Sequence, residues 1–142
     1  MKPFPLTKVQ AIRQLELDQA KQELMMIRQS IHDVLLAIEH LEIKQRTLLE
    51  DRNRKLSKGI STFDLNQDQI KIKALSELKK THETKLTELR MLEERRLKVV
   101  LEKKQTVNGL DKLKAKFLSN QALEQRKQEA DFVESTLVHK QR

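Results

Sequence analysis

Between Pro5 and Gly59 the sequence contains neither glycine nor proline, and Gly59 and Gly109 are the only glycines in its 142 residues. A chain with so few reversal points cannot supply the turns of a β-sheet or of an α/β domain, so it must run as long helices. Composition agrees. Four Phe with no Trp or Tyr leave few large side chains to fill a compact core, and 35% of the residues are charged, the balance typical of coiled coils. The expected fold class is all-α, a long antiparallel two-helix coiled-coil hairpin with a longer C-terminal helix, forming a single domain over residues 1–142.

Pro3 and Pro5 hold the first residues extended, and Thr7 reads as an N-cap for a helix over about residues 6–58. Within it Leu17, Ala20, Leu24, Ile27, Ile31, Val34, Ile38, Leu41, Gln45 and Leu48 follow one another at steps of three and four. Alternating steps of that kind average about 3.5 residues, the heptad period of a left-handed coiled coil.

The bend follows. Lys55 and Lys58 place cations in a last helical turn, Gly59 suits the left-handed C′ position, and Ile60 supplies the apolar residue after it. Ser61 and Asp64 have the spacing of a capping box for a new helix. The bend is thus expected at residues 59–61 and the second helix over about 62–138. Its seam is read as Leu75, Leu78, His82, Leu86, Leu89, Glu93, Leu97, Val100, Lys104, Val107 and Leu110. Folding about residues 60 and 61 pairs positions whose numbers add to roughly 121, so residues beyond about 116 have no partner on the first helix. Asn108-Gly109 could form a second turn into a three-helix bundle, but the unbroken apolar phase Val107, Leu110, Leu113, Phe117 favours a continuous or kinked helix.

Several function classes lose support at this level. Without Cys there is no thiolate nucleophile and no Cys-based zinc site. His32, His40, His82 and His139 offer no pair at i,i+4 with a carboxylate in register, so no metal or cofactor site is expected. No phosphate loop and no G-x-S-x-G elbow occurs, and an enzyme is not expected. The formal charge of +8 favours acidic partners, and Lys71, Lys73, Lys79, Lys80, Arg95, Arg96 and Lys98 raise the alternative of a basic coiled coil that binds nucleic acid. Against that alternative, Glu77, Glu83, Glu88, Glu93 and Glu94 interleave, and there is no Tyr or Trp to stack on bases. No run of about 18 apolar residues exists for a membrane span, and the opening residues lack a signal peptide's apolar stretch, so a cytoplasmic protein is expected.

Three segments in order carry a family resemblance. Phe4-Pro5-Leu6 followed by Val9, Ile12 and Arg13 is similar to the opening of the FliJ family of flagellar type III export, with its virulence counterpart YscO. Lys58-Gly59-Ile60-Ser61 is similar to that family's Gly-aliphatic-Ser/Thr bend. Leu123-Glu124-Gln125-Arg126-Lys127 with Asp131-Phe132 is similar to its closing segment, although Phe132 stands where an acidic residue often follows the Asp. The resemblance implies a stalk that inserts its termini into the hexameric ring of a FliI-like export ATPase, touches a FlhA-like export gate near the bend, and recycles export chaperones. It implies a cytoplasmic location at the inner face of the cell membrane, without membrane insertion. Carried over by position, ring contact falls on Phe4, Leu6, Val9, Ile12, Phe117, Leu123, Arg126, Lys127 and Phe132, and gate contact on Leu41, Leu48, Leu75, Leu78 and His82.

Overall fold

A computed structural model describes residues 2–140. Helix α1 covers Thr7–Lys58 and helix α2 covers Thr62–Lys140, an all-α helical hairpin without a strand among the described residues. Met1, the Lys140 side chain and residues 141 and 142, all within the single domain expected over residues 1–142, lie outside that description.

Local chemistry fixes the helix ends. Thr7 does not cap forward as expected. Its hydroxyl donates back to the Phe4 carbonyl at 2.7 Å, while the Leu6 carbonyl accepts the first helical bond from the Gln10 N–H at 2.8 Å. Leu6 therefore takes the cap position and Thr7 is the first helical residue. At the bend, Gly59 has φ of 88°, the region where a Cβ would crowd the backbone. Lys55 and Lys58 lie in the last turn of α1, facing the negative end of its dipole. Ser61 then caps α2: its hydroxyl accepts from the Asp64 N–H at 3.2 Å and its carbonyl from the Leu65 N–H at 3.0 Å. Helix α2 runs on through Asn108 and Gly109, so there is no turn into a third helix.

The chain forms two compact units, Gln22–Lys98 and Met1–Lys21 with Val99–Arg142. In the first, which contains the bend, Leu24, Val34 and Leu41 are buried and His82, Leu86 and Leu89 are half-buried. Its helices are tied by Lys55–Asp68 at 3.4 Å, Glu42–Lys79 at 3.2 Å, Arg28–Glu93 at 3.2 Å and Glu23–Arg96 at 2.9 Å. In the second unit Phe4, Leu17, Ala20, Val100 and Val107 are buried. There Glu16 meets Lys103 at 3.4 Å and the Gln10 amide donates to Asp111 at 2.6 Å. Each cross-helix pair has residue numbers that add to about 121, the register a short bend imposes on antiparallel arms.

All ten seam positions read on α1 are buried or half-buried. On α2 the seam differs at three positions: Lys79, Arg96 and Lys103 are half-buried, whereas Leu78, Leu97 and Lys104 are exposed. A strict heptad passes through the charged residues. Their aliphatic stems cover the seam while their cationic ends reach carboxylates on α1. Asp68 also sits in the seam, 5% exposed, with the Lys55 ammonium as its partner.

Candidate functional site

Two features leave apolar side chains uncovered beside or beyond the seam. The first lies in the bend unit, where one side of the helix pair opens into a groove of about 580 Å³. Ile43, Lys44, Thr47 and Leu48 of α1 form one wall, and Lys71, Ala74, Leu75 and Leu78 of α2 form the other. On α2 these residues repeat at steps of three and four, which stacks them along one side of the helix. Ala74 is the small member between Lys71 and Leu78, and its missing side-chain volume leaves the gap. The lining is overwhelmingly apolar, yet Ile43 and Leu78 remain about half exposed, at 48% and 47%. Neither Lys44 nor Lys71 has a carboxylate within ion-pairing distance among the described residues, in contrast to Lys55, Lys79 and Lys103.

Of the five residues that the resemblance placed at a gate contact, the structure brings Leu48, Leu75 and Leu78 together in this groove. Leu41 is buried in the seam, and His82 is half-buried outside the groove lining. Sequence reading missed Ile43, Lys44, Thr47, Lys71 and Ala74. The available signal was Ile43, an apolar residue that fits no seam position.

The second feature belongs to the other unit. Phe4 is buried against Phe117, with ring centroids 5.5 Å apart and planes tilted by 55°, a favourable aromatic geometry. Nearby, Gln121 donates to the Lys2 carbonyl at 2.9 Å. Leu6, Val9 and Ile12 are exposed. Beyond Gln121 every described side chain of α2, from Ala122 to His139, is exposed, including Leu123, Arg126, Lys127 and Phe132. The residues assigned to the ring thus divide into an aromatic pair that packs on itself and a set open to solvent.

Charge placement is most specific around Glu16. Arg13 donates to both of its carboxylate oxygens, at 3.0 and 3.1 Å, and Lys103 approaches at 3.4 Å from α2. The Arg13 hydrogen bonds, with Lys103 adding to them, hold this carboxyl below the usual glutamate range, against a smaller opposing effect of burial. No group of three His, Cys, Asp or Glu able to hold a metal ion occurs among the described residues. No described helix is long and apolar enough to cross a membrane.

Fold and surface together define a helical hairpin that exposes an apolar groove beside the bend and an uncovered helical tail. The family model of the flagellar FliJ protein matches residues 1–132. The chain belongs to the FliJ family and is a flagellar-export-related protein. No curated protein and no solved structure matches it.

Proposed function

We propose that this protein is the non-enzymatic central stalk of a type III export ATPase, with residues 1–142 acting as one coiled-coil domain in the cytoplasm at the inner face of the cell membrane. In this reading the tail of α2 enters the ring of a FliI-like hexamer, the groove beside the bend meets a FlhA-like gate, and the protein also recycles export chaperones. The observation that carries it is the exposed tail. Leu123 and Phe132 are nine positions apart at about 100° each, so they face opposite sides of α2. A flat partner surface could cover one of them. A partner that encloses the helix, as a ring does, covers both.

Flagellar export is favoured over a virulence system because the matching family model is the flagellar one. Nucleic-acid binding loses ground because Arg28, Arg96, Lys55, Lys79 and Lys103 are each engaged by a carboxylate of the opposite helix. Cations already paired in this way release fewer counterions on meeting phosphate.

The hydrolysis rate of the cognate export ATPase, measured with and without the full chain, tests the stalk. Stimulation is expected, and deletion of residues 118–142 should remove it while leaving the helical melting transition nearly unchanged. Absence of stimulation together with tight, salt-sensitive RNA binding would overturn the proposal. Unfolding of the truncated chain would refute the assignment of the tail as a free, partner-binding segment.

A further inference from the structure

We propose that the groove beside the bend takes an amphipathic helix whose apolar stripe is flanked by carboxylates, and that Lys44 and Lys71 select it. This inference rests on the reading of that groove as the gate contact and names the chemistry of what occupies it.

Among the groove-lining side chains only Lys44 and Lys71 are charged, and they stand on different helices, one on each wall. No acidic side chain lines the groove, and the acid close by on α1, Glu42, is engaged by Lys79 at 3.2 Å. Three lysines beside the seam elsewhere, Lys55, Lys79 and Lys103, are matched with carboxylates of the opposite helix. The two at the groove are left without partners where an apolar floor is also uncovered. Lysine stems add to apolar walls while their ammonium groups stay at the water-facing rim. A segment entering the groove therefore buries apolar anchors below and meets positive charge on both flanks. Carboxylates there would pair; basic residues would be repelled, so the rim sets specificity more than total affinity.

The occupant is a helix for a structural reason. The backbone groups of α1 and α2 are bonded within their own helices, so neither offers an edge to an extended strand. Recognition falls to side chains, and anchors at i, i+3 or i+4, and i+7 match a trough between two helices. A bilayer surface fits poorly, because the apolar residues line a recess rather than a protruding face.

Two labelled helical peptides test this directly, each with Leu at i, i+4 and i+7, one flanked by Glu and its twin by Lys. Titrated against the full chain, the Glu peptide should bind at least roughly tenfold more tightly, with affinity falling as salt rises. Lys44→Met with Lys71→Met, which keeps the apolar stems, should erase that preference and the salt dependence. Ala74→Leu should fill the groove and remove binding with an unchanged circular dichroism spectrum. Equal binding of both peptides, indifference to the two lysines, or preferential binding of vesicles containing phosphatidylserine would overturn the proposal. The cytoplasmic part of the FlhA-like gate is titrated in parallel. If the gate fails to bind while the Glu peptide binds as described, the gate reading falls and the groove chemistry stands. If the gate binds but ignores both lysines, the chemistry falls and the gate contact survives.

Discussion

The two glycines should respond in opposite directions to the same substitution. Gly59 has φ of 88° and a Cβ built on it would meet nothing within 4 Å, so the cost of Gly59→Ala is conformational and not steric. Holding a non-glycine residue in the left-handed region costs about 1–2 kcal/mol, and the loss of unfolded-chain freedom returns about 0.4–1 kcal/mol. A net destabilisation of about 1 kcal/mol is expected. Gly109 lies inside α2 with no φ in the left-handed range, and its Cβ would likewise meet nothing within 4 Å. There Ala gains the full helix preference over Gly, so Gly109→Ala should stabilise by about 1 kcal/mol. The two sites share no partners, and the double variant should return close to the parent value. Urea unfolding followed by circular dichroism reads all four proteins, with midpoint shifts of opposite sign and an unchanged slope. If Gly109→Ala destabilised, α2 could not be a regular helix through Asn108-Gly109 in solution. Equal tolerance of alanine at Gly59 would refute the left-handed cap.

Phe4→Ala should cost about 2 kcal/mol, less than a fully enclosed Phe because Phe117 is only half-buried and the segment before α1 can detach locally; a double-mutant cycle with Phe117→Ala should show coupling of about 1 kcal/mol, and additive effects would deny the ring contact. Glu16→Gln should lower stability at neutral pH. The lowered carboxyl pKa means that the charged pair contributes fully above the ordinary value of 4.5 and is lost as pH falls through that value to the lower folded one, so parent and variant should converge in acid; a difference independent of pH would exclude the ionic origin. Asp68→Leu should raise the melting temperature, by about 1 kcal/mol of stability, since it continues the apolar seam and leaves a Lys55 side chain that is already 54% exposed free to return to water; a fall would show that this buried carboxylate holds the helices in register.

Legibility in the sequence followed the strength of the local signal. Ten apolar or amide positions at heptad spacing on α1, and Gly59 with Ser61 behind it, each act through the nearest turn of helix, so they could be read without knowing what lay opposite. On α2 the choice of Leu78, Leu97 and Lys104 over Lys79, Arg96 and Lys103 went astray because hydropathy ranks lysine and arginine by their charged ends. Their burial depends on Glu42, Glu23 and Glu16 waiting on the other helix. Asp68 was passed over for the same reason. The groove is harder still to see from one strand of text. It arises where Ile43 and Leu78, each off the seam, come to flank the small Ala74, a relation between two faces rather than a feature of either.

The tail raises a different point, because its pattern changes where its partner helix ends. Continuing the α2 seam beyond Gln121 leads to Glu124, Gln128, Asp131 and Ser135, all polar and all exposed. Apolar residues instead recur at Leu123, Ala130, Val133 and Leu137, whose mean direction lies roughly two-fifths of a turn away from the seam, with Phe132 and Val138 on other sides. A seam that merely outlasted its partner would have kept its phase. A solvated extension would have had no need for seven apolar residues with every side in water. Apolar side chains exposed on more than one side of the tail are what the enclosing partner proposed above would cover. An isolated helix of this length is marginal in water, so its helicity is expected to strengthen on capture. Protection from hydrogen exchange at Leu123–Leu137 should accordingly rise when the ATPase is added, while the seam from Leu24 to Leu41, already buried, changes little.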